Sequence, residues 1–434
     1  MPIWICEPGS RNKSDALAEK LRKQGRKTAL VQEPARIDER KQKLKRLREH
    51  ARDDIHELTG KLTAALHQKY PRVAVASAAS AADAIEYITK ISDGSDTVSC
   101  NNSGTVSREL KPGLTAHNFT VINSYLDEYD IQEKKILDYW DFDNLLENNL
   151  TGSFDVSIKM AGIGRPGTDI RRYLAVLGAN AVSAEDGTIV FLQHFSNISK
   201  DLEQAEKVVI IIGMDKIVRS TEEAAFVTEC MGVFGMESVL LGTRPKANGA
   251  PSMEQLSLPA SDRDRKLHII ILDNGRTDLL STQFRDLFLC IGCRACNRHC
   301  PIRNSFCDVD YMWSPKNYLN NFLAGKTDSI AACLHCEACR SDCPVDIDLP
   351  GLMWRANSDC ISRHGQPYRQ KILGNPERLA RLGTFAAPLA NRMMHSRVVR
   401  VLMEYMLGID KRANLPGFSS RTFRKWFHKT CPKT

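Results

Sequence analysis

Aromatic residues make up only 7% of this 434-residue chain, and long apolar runs are missing. The longest, Val208–Met214 and Ile269–Leu272, fall far short of the ~20 residues a membrane-spanning helix needs. The opening Met1–Cys6 leads straight into charge, which predicts no signal peptide and hence a reducing, cytoplasmic compartment. There is no P-loop, no Ser-His-Asp constellation and no histidine metal motif. The glycine-rich Gly162-Ile163-Gly164-Arg165-Pro166-Gly167 does not follow a strand, so it fails the dinucleotide fingerprint. A chain of this length predicts two to three domains with ample core.

Cysteine, by contrast, is plentiful. Eight of the fourteen cysteines fall between Cys290 and Cys343, in two copies of C-x2-C-x2-C-x3-C-P. The first copy is Cys290, Cys293, Cys296 and Cys300, followed by Pro301; the second is Cys333, Cys336, Cys339 and Cys343, followed by Pro344. This is the ligand spacing of a protein with two [4Fe–4S] clusters, in which the fourth thiolate of each run reaches across to the other cluster. It predicts one cluster on Cys290, Cys293, Cys296 and Cys343, and the other on Cys333, Cys336, Cys339 and Cys300. Zinc is the competing metal, but its cysteines come as two C-x2-C pairs separated by a longer loop. Cys6, Cys100, Cys230, Cys307, Cys360 and Cys431 are scattered and read as ordinary thiols, Cys307 included although it lies close to the first run. His194, His299 and His335 read as local structure; the last two sit within the runs, where they could tune a cluster by hydrogen bonding.

The net charge of +8 is unevenly placed. From Ile361 onward there are fifteen Lys and Arg against Glu377, Glu404 and Asp410, a balance of +12 that leaves −4 for the rest. A basic tail suits nucleic acid or an anionic surface. Here Leu389, Met393, Val398, Val401, Leu402, Tyr405 and Met406 interleave with the charges in helical order, a pattern that fits a protein partner at least as well. A solvated helix face accounts for most of the arginines one by one.

Along the chain, the spacing predicts a strand at Ile3–Cys6, a helix at Ser14–Gln24 and a strand at Thr28–Gln32. One long charged helix follows from Pro34 to about Tyr70, with an apolar seam of Ile37, Leu44, Leu47, Ala51, Ile55, Leu58, Leu62 and Leu66. Strands are expected at Val73–Ala76, Thr97–Cys100, Phe119–Asn123, Thr188–Leu192, Lys207–Ile212 and Ser238–Leu241, with helices at Ala81–Ile91, Ile131–Asp138 and Thr221–Met231. That alternation means βαβ units around a mostly parallel sheet. Arg244–Lys266 reads as an exposed loop, Leu267–Leu272 as a buried strand, and Pro315–Ala324 as a helix. Nearly everything after Pro344 reads as helical, so the cluster region is expected to be an all-α, helical ferredoxin-type domain. The expected divisions are 1–70, an α/β segment and long helix; 71–276, the α/β domain; 277–360, the two-cluster domain; and 361–434, a basic helical docking region.

Two segments of the α/β domain are candidate ligand sites. Ser99-Cys100-Asn101-Asn102-Ser103-Gly104-Thr105 ends a strand and opens a helix, where free amides receive an anion. A plain N-cap by Ser103 or Asn102 explains the same letters. Ala184-Glu185-Asp186-Gly187-Thr188 carries a carboxylate pair, with Glu185 as the candidate; Asp-Gly is also a favoured hairpin turn.

Together, the Ala184–Ile189 turn, Ile271-Leu272-Asp273-Asn274-Gly275-Arg276 and Cys290-Ile291-Gly292-Cys293-Arg294-Ala295-Cys296 resemble the iron–sulfur B subunit of the lactate-utilisation family. So do Leu415-Pro416-Gly417-Phe418 and Thr422-Phe423-Arg424-Lys425-Trp426. The resemblance runs from about residue 35 to the end. It implies a LUD domain similar to the sugar-phosphate isomerase and CoA-transferase fold. It also implies a separate partner with CCG motifs like those of heterodisulfide reductases, and a role in oxidising L-lactate to pyruvate. The family's Tyr and Gly-Gly-His after the first cysteine run are replaced here by Ile302-Arg303-Asn304-Ser305-Phe306-Cys307, and its Lys-Ser-Met-Thr-Glu-Glu stretch by Asn101–Glu109.

Three function classes remain. The first is an electron-transfer subunit of an oxidoreductase complex that carries two [4Fe–4S] clusters and works with a CCG or flavin subunit. It would be cytoplasmic, or attached to a membrane through its partners, and would not bind nucleic acid. The second makes the sheet domain itself a binding or catalytic module for a small carboxylate, CoA ester or phosphate near Asn101, Asn102, Ser103, Gly104, Thr105 and Glu185. The third gives structural or sensory clusters with the tail on DNA.

Overall fold

The computed structural model describes residues 3–7, 34–123, 173–192, 198, 201–202, 205–234, 252–256, 267–297, 299–302, 314–326, 333–366 and 368–431. The expected elements at Ser14–Gln24, Thr28–Gln32, Ile131–Asp138 and Ser238–Leu241 lie outside these residues. So do the loop at Gly162–Gly167, His194 and Cys307.

Two sheets organise the larger of two compact units, which comprises 1–323 and 332–353. The first sheet has six strands: β2 (Ala74–Ala78), β3 (Thr97–Cys100), β4 (Thr120–Asn123), β5 (Leu174–Gly178), β8 (Lys207–Gly213) and β11 (Leu267–Leu272). Their order is β2-β11-β8-β5-β3-β4, and every pairing is parallel. Strands buried on both faces need unbroken apolar runs, and Val208–Ile212 and Ile269–Leu272 are almost entirely solvent-free. The second sheet is mixed. It joins β1 (Ile3–Glu7), β6 (Ala181–Ser183), β7 (Ile189–Leu192), β9 (Ile217–Val218) and β10 (Ser252–Leu256) in the order β10-β1-β7-β6-β9. β10 pairs antiparallel with β1, so part of the expected loop at Arg244–Lys266 is a strand. β5, β6 and β9 had no counterpart in the sequence reading.

The long N-terminal helix is two helices, α1 (Pro34–Asp53) and α2 (Ile55–Lys69), interrupted at Asp54. Arg219 holds the Asp54 carboxylate at 2.5 Å, and the Thr59 hydroxyl donates to the Ile55 carbonyl just past the break, a bond that bends helices. The seam still runs across both: Leu44, Leu47, Ala51, Ile55, Leu58, Leu62 and Leu66 are all buried within the chain. Helix α3 (Ala81–Ile91) buries Ala84, Ile85 and Ile88 in the cluster of side chains that also holds Val98, Val176 and Ile270. Its start is fixed by a capping box in which Ser80 and Asp83 satisfy each other's amides. A π-helical turn, Thr105–Leu110, leads into the short α4 (Lys111–Ala116), and α5 (Thr221–Phe234) follows β9.

Beyond β11 the regular elements of the described chain are all helical, beginning with α6 (Arg276–Leu280), α7 (Pro315–Leu323), α8 (Ala338–Ser341) and α9 (Leu349–His364). The second compact unit comprises 324–331 and 354–434. It contains α10 (Tyr368–Leu373), α11 (Pro376–Phe385), α12 (Ala387–Met394), α13 (Arg397–Leu407) and α14 (Phe423–Thr430). Its helices leave Leu382, Phe385, Leu389, Val398, Leu402, Tyr405 and Phe423 well exposed. Among the described residues no helix is long and apolar enough to cross a membrane.

Candidate functional site

The two cysteine runs repeat one backbone path. In the first, Gly292 and Arg294 adopt left-handed conformations two and four residues after Cys290 (φ +81° and +60°). In the second, His335 and Glu337 do the same two and four residues after Cys333 (φ +51° and +62°). At Gly292 and His335 the turn brings the residue's own amide back to the sulfur two residues before it. Gly292 N–H donates to Cys290 Sγ at 3.3 Å and His335 N–H to Cys333 Sγ at 3.4 Å. A third amide, from Ile347, reaches Cys343 Sγ at 3.4 Å. Non-glycine residues rarely adopt such conformations, and strain of this kind concentrates at functional sites.

Electrostatic neighbours show which thiols stand together. Burial pushes the Cys293 thiol well up, and the other charges acting on it are those of Cys290, Cys343 and Cys296. Burial likewise raises Cys343, to about 11, with Cys290 adding to the effect. Cys339 is pushed up to about 12 by burial and then by Cys333, Cys300 and Cys336. Cys333 feels Cys300 and Cys336 in the same way. Cys343 therefore lies near Cys290, Cys293 and Cys296, and Cys300 near Cys333 and Cys339. Cys296 is also within reach of Cys339, so the two sets are neighbours.

Among the described residues no three His, Cys, Asp or Glu side chains converge on a single metal ion. A cubane asks for something different, since each of its four thiolates binds a separate iron at its own corner. The residues fit such a group: two all-sulfur donor sets, Cys293, Cys300 and Cys339 buried, and amides donating to three of the sulfurs. His299 Nδ1 lies 2.8 Å from the Asp342 carboxylate, linking the residue before Cys300 to the one before Cys343.

The first run sits against the sheet. The fully buried Arg48 of α1 donates to the carbonyls of Phe288 (2.7 Å) and Leu289 (3.2 Å), immediately before Cys290, and to that of Asp215 (2.7 Å). Arg294 donates to the side-chain oxygen of Asn102 at 3.0 Å. Because the six-stranded sheet is all parallel, β3, β5, β8 and β11 end on one edge, where ligand crevices of α/β folds form. Asn101 follows β3, and its amide exchanges two hydrogen bonds with the Gly178 backbone (2.9 and 3.0 Å). Ser103 caps the following turn through Val106 N–H at 3.4 Å, the plain reading of that segment.

Arg276, which the sequence reading did not single out, dominates this edge. It donates to both oxygens of Glu109 (2.6 and 3.0 Å), to Asp215 (2.5 Å) and to the Thr105 hydroxyl (3.2 Å). Asn274 donates to Glu109 at 2.7 Å, and Lys216 lies 2.9 Å from Asp215. Burial alone would raise Asp215, but Lys216, Arg276 and Lys316 hold its carboxyl well below the usual range. The only hint in the sequence was the position of Asp273-Asn274-Gly275-Arg276 at a strand end. Glu185 is not brought to this edge. It is exposed in the β6–β7 hairpin turn of the other sheet, where Gly187 takes φ +76° and Asp186 accepts from Thr188 and Thr221.

The tight approach of β5 to this segment makes one substitution informative. A Cβ on Gly178 would run into the Ser103 side chain, 2.6 Å from its Cβ, and lie 3.1 Å from Val106. Gly178→Ala is therefore expected to destabilise the fold by about 1–3 kcal/mol, read as a lower Tm.

Comparison with known proteins covers the strands of the parallel sheet except β11, and stops short of Arg276. Residues 61–231 match the LUD domain. Lactate utilization protein B 1 of Bacillus mycoides (strain KBAB4) is 28% identical over 134 residues, which is 30% of this chain and 25% of that protein. Lactate utilization protein B of Anoxybacillus flavithermus is 27% identical, and that of Shouchella clausii 28%, over the same length, covering 30% of this chain and 26% of each. The match spans about a quarter of these relatives' length, a distant homology. No solved structure matches.

Proposed function

We propose that this chain is the iron–sulfur, electron-carrying member of an oxidoreductase complex in lactate utilisation, acting on lactate or another small organic acid. One observation supports the reading: Cys343 is among the thiols acting on Cys293 of the other run, and Cys300 among those acting on Cys339. Cys290, Cys293, Cys296 and Cys343 would hold one [4Fe–4S] cluster, and Cys333, Cys336, Cys339 and Cys300 the other, in a ferredoxin-type helical domain. When bound, such groups accept and release single electrons. The chain's part is to exclude water from Cys293, Cys300 and Cys339 and to aim amides at Cys290, Cys333 and Cys343. The exposed Cys336 opens the second set to the surface. The basic helices α11–α14 offer apolar side chains to a partner, for which a CCG-type or flavin subunit is the expected class. The protein would work in the cytoplasm, or at a membrane through that partner.

A second reading has an observation of its own. The partly buried Arg276–Asp215–Glu109 cluster lies at the sheet's carboxyl edge, where a LUD domain binding a small carboxylate, CoA ester or phosphate would place it. Anaerobic purification with iron and sulfide assay separates the two. The first reading expects about eight irons per chain, reducible cubane signals by EPR and a co-purifying subunit. Fewer than about four irons, or signals that never reduce, would overturn it. Saturable binding of a small anion by cluster-free protein would favour the second.

A further inference from the structure

We infer that Arg48 is a positioning residue that sets the reduction potential of the first four-thiol set, by fixing one positive charge beneath Cys290 where water cannot. The inference rests on the iron–sulfur reading above. Arg48 occupies a seam position on α1 between Leu44, Leu47 and Ala51, and only 1% of it is exposed. Arginine is almost never buried this deeply without a matching anion. All three of its hydrogen bonds go to neutral carbonyls: Phe288, Leu289 and Asp215.

The neighbouring charges do not cancel it. Lys216 and Arg276 already pair with Asp215, and Arg276 also pairs with Glu109. Arg48, Lys216, Arg276 and Lys316 are thus four cations facing the three carboxylates Asp215, Glu109 and Glu223. After Asp215, the anion that acts most strongly on Arg48 is Cys290, one residue beyond the Leu289 carbonyl that Arg48 holds, with Glu223 acting less. Lys216 adds to the same field, since its ammonium approaches Gly292 beside Cys290. The second set has different surroundings: the exposed Glu337, and an Arg340 half open to water and shared among Glu337, Asp346 and Asp348. Solvent screens those charges, whereas Arg48 is itself shielded from water. Reduction adds one negative charge, so a fixed buried cation favours the reduced form at the first set only.

The test is an EPR-monitored redox titration of the full chain, loaded and kept anaerobic. Arg48→Gln keeps amide donors for the carbonyls but removes the charge. It is expected to move one of the two potentials to more negative values and leave the other in place. Arg48→Lys keeps the charge and should leave both near the unmutated values. Asp215→Asn removes the opposing carboxylate and should move the same potential in the positive direction. If Arg48→Gln fails to fold, the other two variants decide. The inference is overturned if Asp215→Asn moves nothing or moves both potentials alike, or if Arg48→Lys shifts the potential as far as loss of the charge does. The unmutated protein separates the two readings: too little iron sinks the function, while full iron with unmoved potentials sinks this inference alone.

Discussion

Replacing Cys343 with alanine is expected to empty the first thiol set and spare the second, and Cys300→Ala is expected to do the reverse. Cys343 belongs by sequence to the second run, yet it acts on Cys293 and Cys290 from the first. Cys300 in turn acts on Cys333 and Cys339. Each single variant should lower the iron content from about eight to about four per chain, since losing one corner ligand releases or degrades its whole cluster. Double variants reveal the grouping, because residues serving one unit are not additive. Cys343→Ala with Cys290→Ala should lose no more iron than Cys343→Ala alone. Cys343→Ala with Cys333→Ala should lose nearly all of it. The opposite pattern would mean that each run closes on itself, and the spatial grouping of the thiols would then be wrong. Iron and sulfide assays with EPR of the reduced protein read the result directly.

What the sequence could reveal follows the range of the physics involved. Cluster ligand spacing is a local constraint, so the cysteine pattern stood out in the letters; the left-handed bends at Gly292, Arg294, His335 and Glu337 did not. Continuous β-branched runs are equally local. Thr97–Cys100 and Leu267–Leu272 are strands with the boundaries their composition predicts. Helix α3 likewise runs over the expected Ala81–Ile91, starting at its Ser80 cap. The failures are tertiary. Leu174–Gly178 is a short apolar stretch without a period of its own, and it becomes a central strand because β3 and β8 flank it. Ser252–Leu256 reads as polar loop until β1 supplies an edge for it to pair with. Asn101–Thr105 was legible as a strand end, but its partners Gly178, Arg276 and Arg294 come from 77 to 192 residues away. Arg48 shows the limit most plainly. Its place on the apolar seam beside Leu44, Leu47 and Ala51 was there in the letters, but the Phe288, Leu289 and Asp215 carbonyls that receive it were not.

Arg276→Met is expected to cost about 3–5 kcal/mol of stability at neutral pH, among the largest effects of any single change in the sheet unit. The guanidinium has 12% of its surface exposed and bridges Asp215 and Glu109, whose side chains are 13% and 25% exposed. Methionine fills much of the same volume, so packing is largely kept while two carboxylates lose their common partner. Lys216 remains on Asp215, but Glu109 is left with the Asn274 amide. The pH dependence gives the signature. Asp215 has a folded pKa held well below its ordinary value, so its contribution is fully present above about pH 4 and fades as pH falls through the folded value. Removing Arg276 removes one of the charges that depress that pKa, and Asp215 then protonates at higher pH. The stability difference between the two proteins should therefore be widest near pH 7 and narrow toward about pH 4, as protonation relieves Asp215 in the variant first. Urea unfolding at both pH values measures it. A difference that does not change with pH would mean that the loss comes from packing, and that the ion cluster at the strand ends is not what fixes this edge of the sheet.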